Sequence, residues 1–146
     1  REVMHAEADG ADVVVMAAAV ADFRPGQQSE HKVKKTEGQV GWTVELITNP
    51  DILAELVAAR RPGQLIIGFG AETGDGSADV QAHGRAKAIR KGADLLVVNP
   101  VSGTEGFGDV PNDVTVYDAA GEVVGSAAGT KLAVAEAIWD LVIPRL

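Results

Sequence analysis

Three short runs, Asp12-Val13-Val14-Val15-Met16, Leu65-Ile66-Ile67-Gly68-Phe69 and Asp94-Leu95-Leu96-Val97-Val98, are apolar or β-branched almost without interruption. A strand with one wet face would alternate polar and apolar residues. These do not, so each predicts a strand covered on both faces, as in a parallel sheet. Between them the pattern turns helical. Pro50 to Arg60 reads as a helix with Asn49 as N-cap, Pro50 at the first helical position and Asp51 facing the positive end of the dipole. Asp79 to Gly92 reads as a second helix, with Ala82, Ala86, Ile89 and Ala93 on one stripe. Strand, helix, strand, helix, strand with right-handed crossovers predicts an α/β fold with a Rossmann-like, doubly wound, mostly parallel sheet.

Two pieces fall outside that alternation. His31 to Lys35 and Val40 to Ile47 read as a strand pair joined through Glu37-Gly38-Gln39, an extended arm that exposes Trp42, Val44 and Leu46 on alternate positions. Such a face seeks a partner, and a homodimer through the arm is expected. Near the end, Val114 to Tyr117 and Glu122 to Val124 predict a hairpin across Asp118-Ala119-Ala120-Gly121. A last helix follows from Lys131 toward Pro144, capped by Thr130, with Leu132, Ala135, Ile138, Trp139 and Val142 as its packing face.

Composition narrows the chemistry. A chain of 146 residues is expected to form one domain with a core that needs neither disulfide nor metal. It contains no Cys, which removes disulfides, thiolate zinc sites and cysteine nucleophiles. The formal net charge of -8 argues against sequence-independent nucleic-acid binding. No apolar run reaches the roughly 20 residues of a membrane span, and the opening Arg1-Glu2-Val3-Met4-His5 lacks the order of a signal peptide. A cytoplasmic protein is expected. The start on Arg1, partway into a helical pattern, suggests that an upstream segment has been removed.

In open α/β sheets ligands bind beyond the carboxyl ends of the strands. The residues there are Ala17 to Pro25, Gly70 to Gly74 and Asn99 to Gly103, rich in small side chains that let a ligand approach the backbone. Lys32-Val33-Lys34-Lys35 is the one dense basic cluster of an acidic chain. As a strand it would put Lys32 and Lys34 on one face, suited either to a phosphate chain or to guarding a sheet edge. Lys87 and Lys91, four apart, are neighbours on a helix and point away from the Ala82/Ala86/Ile89 stripe. His5, His31 and His83 show no metal-ligand spacing and are read as surface residues. There is no P-loop and no complete Gly-x-Gly-x-x-Gly fingerprint.

Taken in order, Ala18-Ala19-Val20-Ala21-Asp22-Phe23-Arg24-Pro25, Lys32-Val33-Lys34-Lys35, Asn49-Pro50-Asp51-Ile52-Leu53, Gly68-Phe69-Gly70-Ala71-Glu72-Thr73 and Lys87 to Lys91 followed by Asp94 to Asn99 resemble the phosphopantothenate–cysteine ligase family. The likeness is close from Ala17 to Asn99 and loose over the terminal hairpin and helix. It implies a two-step reaction: CTP converts the carboxylate of 4'-phosphopantothenate to an acyl cytidylate with release of pyrophosphate, and the amine of cysteine then displaces CMP. Magnesium is the implied divalent ion. FMN would belong to a decarboxylase half fused to some relatives and absent from this sequence.

Carried over by the resemblance, the backbone of Met16, Ala17 and Ala18 and the side chain of Asp22 are nucleotide contacts, Asp22 addressing ribose hydroxyls or a metal. Lys32 matches the triphosphate-binding lysine, implied to be catalytic, on an arm that builds the dimer. Asn49, Pro50, Asp51 and Ile52 resemble the cytidine-contacting turn, and Phe69, Lys87 and Lys91 match further CTP contacts. The family's metal ligands find no defined match. Gly70 stands where the family usually has Ala, and Gly74-Asp75-Gly76-Ser77 lengthens the next loop. The Gly-Gly-Thr strand-end loop and the Asn-Arg-Ser-Ser-Gly segment with which relatives bind substrate phosphate do not occur here. The implied reading is therefore a synthetase domain without the family's amino-terminal strand and loops. A non-catalytic nucleotide-binding module, and a dehydrogenase-like domain whose phosphate loop lay upstream, are the competing readings.

Overall fold

The computed structural model describes residues 1–73, 79–101 and 111–146. In chain order its elements are α1 (Glu2–Ala8), β1 (Val13–Met16), β2 (Phe23–Pro25), β3 (Leu46–Thr48), α2 (Ile52–Ala59), β4 (Leu65–Glu72), α3 (Val80–Lys91), β5 (Leu95–Pro100), β6 (Asn112–Asp118), β7 (Val123–Gly129) and α4 (Lys131–Val142), followed by a 3-10 turn at Ile143–Arg145. They divide into two compact units, one formed by Arg1–Ala19 with Ile52–Leu146, the other by Val20–Asp51.

The larger unit is built on the three apolar runs, which form β1, β4 and β5 as expected. The sheet order is β1-β4-β5-β6-β7, with β1, β4 and β5 mutually parallel. The terminal hairpin adds β6 antiparallel to β5 and β7 antiparallel to β6, so β6 alone runs against the rest. The fold is the expected α/β class with a mainly parallel sheet. Because both faces are covered, the central strands are apolar without alternation from Leu65 to Ala71 and from Leu95 to Val98: Ile66, Leu96 and Val98 pack with Ile52, Leu53, Leu56 and Ala88 of α2 and α3, while Ile67, Leu95 and Val97 pack with Val134, Ile138 and Val142 of α4.

The helices exist where periodicity places them, but two present other faces. In α3 the buried residues are Gly84 and Ala88, and Ala82, Ala86 and Ile89 are exposed. Shape decides this. The ring of Tyr117 lies so close to Gly84 that a Cβ there would sit 3.0 Å from Cε2, and Ile89, the largest side chain of the expected stripe, stays outside against Gly121, where a Cβ would lie 3.0 Å from its Cδ1. In α4 the core side is Val134, Ile138 and Val142, leaving Leu132 and Trp139 exposed. Gly125 of β7 supplies the hollow, since a Cβ there would lie 2.8 Å from Leu141 Cδ1. The Thr130 cap forms as expected, accepting from Ala133 N at 3.2 Å, and α3 has a cap that the sequence analysis did not assign, Asp79, which accepts from Ala82 N at 2.8 Å.

The smaller unit departs furthest from expectation. The Glu37-Gly38 turn forms, with Gly38 at φ 77° and Gln39 N donating to Thr36 O at 3.0 Å. Its flanks do not pair: neither His31 to Lys35 nor Val40 to Glu45 is strand. Instead Leu46–Thr48 joins Phe23–Pro25, with Arg24 opposite Ile47. A two-stranded hairpin needs a hydrophobic face against another layer to persist, and within this unit the segment from His31 to Glu45 is exposed throughout apart from Gln39. Lys32 and Lys34 therefore share no strand face.

Candidate functional site

The carboxyl edge of the sheet is stepped. β1 ends at Met16, which pairs with Gly68, whereas β4 continues through Phe69, Gly70, Ala71 and Glu72 beside Val97 to Pro100 of β5. Alternation sorts these residues by face. Gly68, Gly70 and Glu72 share the face of Ile66, which α2 and α3 cover, and Met16 packs on the same core. Phe69 shares the face of Ile67, toward α4, and is 37% exposed. Phe69 and Lys87 thus meet the same strand end from opposite faces.

Lys87 is not on the outer face that the helical wheel suggests. With Gly84 and Ala88 turned inward, Lys87 and Lys91 fall beside them as half-buried residues. Helical side chains lean toward the N-terminus, and α3 returns toward the amino end of β5, so the Lys87 stem runs toward the carboxyl edge of the sheet. There its Nζ stands 2.5 Å from Glu72 Oε1, with 23% and 19% of the two side chains exposed. A Cβ at Gly70 would lie 3.2 Å from Nζ and 3.3 Å from Cδ, so the missing side chain is the channel the lysine occupies. Lys91 lies one turn further from that edge, in the last turn before the Gly92 cap. Ala17 and Ala18 are exposed directly after β1, and Ile52 is buried as the first residue of α2.

In the smaller unit Asp22 and Asn49 are brought together by β2 and β3. Asn49 N donates to Asp22 O at 2.8 Å, its Nδ2 donates to Ala21 O at 2.7 Å, and its Oδ1 accepts from Arg24 Nη1 at 2.9 Å. Arg24 also donates to Thr48 O at 2.9 Å. This network overturns the cap assignment: Asn49 spends its amide on the β2 segment, and the helix starts at Ile52 rather than Pro50. The Asn49-Pro50-Asp51 turn is held by side-chain bonds rather than by a helical first turn. Lys32 is exposed in the irregular segment. Lys34 and Lys35, with Val33, Gln39, Val40, Gly41 and Trp42, line a hollow of about 300 Å³ that Lys32 does not enter.

Among the described residues no group of three His, Cys, Asp or Glu side chains is arranged to hold a metal ion. His5, expected at the surface, is half-buried, its Nε2 2.9 Å from Glu55 Oε2, and His83, expected there too, is a half-buried residue of α3. The Gly74 to Ser77 loop and the Ser102-Gly103 end of the third strand-end segment lie outside the described residues. Sequence reading did not single out Glu72 or Arg24. A carboxylate closing a strand, followed one helix later by lysines, is the signal for the first; an arginine two residues after Asp22 in an exposed strand is the signal for the second.

The likenesses to known proteins agree on one family. The family model described as DNA/pantothenate metabolism flavoprotein C-terminal domain matches residues 1–145. The coenzyme A biosynthesis bifunctional protein CoaBC of Mycobacterium tuberculosis is 47% identical over 142 residues, covering 93% of this chain and 34% of that protein. The protein of the same name from Bacillus subtilis is 40% identical over 118 residues, 80% of this chain and 27% of its own length. The chain thus spans about a third of the length of these relatives or less. The crystal structure of the DNA/pantothenate metabolism flavoprotein from Streptococcus pneumoniae matches with a TM-score of 0.72 at 16% identity, over 99% of this chain and 68% of that one, a likeness of fold.

Proposed function

Because the chain belongs to the DNA/pantothenate metabolism flavoprotein C-terminal domain family, we propose that it acts in coenzyme A biosynthesis by ligating cysteine to 4'-phosphopantothenate at the expense of CTP. The reaction forms an acyl cytidylate with loss of pyrophosphate; attack by the cysteine amine then gives phosphopantothenoylcysteine and CMP. A carboxylate becomes a usable electrophile only when its oxygen carries such a leaving group, and the triphosphate under attack requires cations at its oxygens.

The observation that carries this reading is the Lys87 ammonium brought across Gly70 to the carboxyl edge of the sheet in a chain of net charge -8. In the proposal Lys87 and Lys91 address the phosphates, Met16 to Ala18 offer backbone groups, and Phe69 contacts the nucleotide from the other face of β4. Asp22 and the turn from Asn49 to Ile52 read ribose and cytosine. The bonds that Asn49 makes to Ala21 and Arg24 suit that role, since a rigid turn discriminates by leaving groups unpaired against a wrong base. Magnesium suits the site as an ion carried mainly by the triphosphate, which needs only one or two protein carboxylates; Asp22 is the carboxylate for it if ribose is held elsewhere.

Lys32 is assigned to the triphosphate bound by a neighbouring subunit. The arm that bears it exposes Trp42, Val44 and Leu46 at 66%, 50% and 57%, an apolar surface suited to a second copy. A panel of nucleotides read by thermal shift tests the reading, because a ligand at a hundredfold excess over its Kd stabilises by about 2.7 kcal/mol. CTP is expected to raise the melting temperature more than ATP or NAD. Equal shifts for CTP and ATP would contradict it, and stabilisation by NAD alone would favour a dehydrogenase-like domain. CTP binding with no turnover in the full-length polypeptide would favour a non-catalytic module.

A further inference from the structure

We propose that Glu72 is a positioning residue, whose carboxylate sets where the Lys87 ammonium stands and thereby the affinity of the carboxyl edge for a phosphate chain. The identity of the nucleotide rests on the function proposed above; the contact between the two side chains does not.

A lysine half-buried between a helix and a sheet has a four-carbon stem and several ways to bring its charge to water. Three features select one of them. Gly70 opens the path, because Cδ, Cε and Nζ of Lys87 all lie 3.2–3.4 Å from where a Cβ would be. Glu72 closes it as the last residue of β4, opposite Pro100, its backbone fixed by Val101 N donating to Glu72 O at 2.9 Å. The ion pair at 2.5 Å is three-quarters or more covered at both partners. Salt and water therefore screen it less than an exposed pair. Arg85, the nearest other cation of α3 in sequence, is engaged on the exposed side with Glu122.

The geometry orients the lysine without consuming it. An ammonium has three donors. Glu72 takes one from the side of the strand end and leaves the others for oxygens beyond the edge. With the carboxylate gone, the stem regains its rotamers, and a phosphate chain must order it anew on binding.

The test uses the full-length polypeptide containing this chain, with Glu72→Gln, Glu72→Asp, Lys87→Met and the Glu72→Gln/Lys87→Met pair. Calorimetry measures inorganic tripolyphosphate and CTP, and peptide mass spectrometry follows acylation of Lys87 by an activated ester. Glu72→Gln is expected to weaken both ligands about tenfold, the scale of one charge-assisted contact, and to quicken Lys87 acylation. Glu72→Asp should recover part of each effect. In the Lys87→Met background Glu72→Gln should change affinity no further, the mark of a residue acting through another. An acylation rate indifferent to Glu72→Gln overturns the proposal. So does unchanged or tighter tripolyphosphate binding, or an effect that persists in full without Lys87. Equal affinity for CTP and ATP with the Glu72–Lys87 coupling intact would overturn the assigned nucleotide and support the positioning role.

Discussion

Gly68→Ala probes the closest approach of α2 to the sheet. The added Cβ would lie 2.4 Å from Leu53 Cδ2 and 3.1 Å from Leu96 Cδ1, against an optimum of roughly 3.5–4.0 Å between carbons. Leu53 and Leu96 are 5% and 0% exposed and belong to the same core cluster, so neither side chain can swing into solvent. Overpacking of this kind costs about 1–3 kcal/mol. The backbone at Gly68 is not left-handed, so restricting the unfolded chain returns about 0.4–1 kcal/mol. Because a 2.4 Å contact is far inside that optimum, the cost lies in the upper half of the range, about 2–3 kcal/mol, and the net loss is about 1–2.6 kcal/mol, a fall in melting temperature of roughly 2–10 °C for a chain of this size. Calorimetry and urea midpoints measure it. Leu53→Ala alone should cost about 2–5 kcal/mol by leaving a cavity, and the double variant should cost less than the sum because the new methyl enters that cavity. An unchanged or higher melting temperature for Gly68→Ala, or strict additivity of the pair, would show that Leu53 does not press on the strand at Gly68.

Other expectations follow from the same geometry. In the full-length polypeptide Lys32→Ala should slow pyrophosphate release from CTP at least tenfold, while Lys34→Ala, whose side chain lines the hollow of the arm, should do less; comparable pyrophosphate rates for the two would remove Lys32 from the site. Sedimentation should show a dimer that Trp42→Glu dissociates, and a monomer at high concentration of the unaltered protein would count against the arm as interface. Burial, with the Asp79 carboxylate adding to it, holds the Tyr117 hydroxyl above its ordinary range. The unfolded chain then ionises near pH 10 while the folded chain keeps its proton, so this contribution is complete below about pH 10 and lost as pH rises through the folded value. Tyr117→Phe should flatten the alkaline fall in urea midpoint, and superimposable profiles would exclude Tyr117 as its source.

What the sequence makes legible is whatever one strand or one cap decides locally. Leu65 to Gly68 and Leu95 to Val98 announce buried strands because no polar residue interrupts them, and Thr130 announces a helix start because its side chain satisfies a free N–H; Val13 to Met16 reads the same way, yet β1 stands at the end of the sheet order with Val15 43% exposed. Helix rotation was not legible in α3, where Gly84 faces the core because Tyr117 arrives from a strand some thirty residues later in the chain. That one contact also turns Lys87 inward, so the apparent conflict between the wheel and a role for Lys87 disappears once the partner is known. The arm misled for the opposite reason: alternation at Trp42, Val44 and Leu46 reports a surface that wants burial, and among the described residues nothing pairs Val40 to Glu45 as strand. Glu72 was in plain view as part of a motif, but its meaning depends on Gly70 being a glycine and Lys87 lying over it.

Following pyrophosphate and phosphopantothenoylcysteine together, with the full-length polypeptide supplied with magnesium, CTP, cysteine and 4'-phosphopantothenate, tests the ligase assignment most directly. One pyrophosphate and one amide product per CTP are expected, with ATP supporting a much lower rate and Lys87→Met lowering both products in step. Amide formation without nucleotide, or CTP hydrolysis that never yields phosphopantothenoylcysteine, would contradict it.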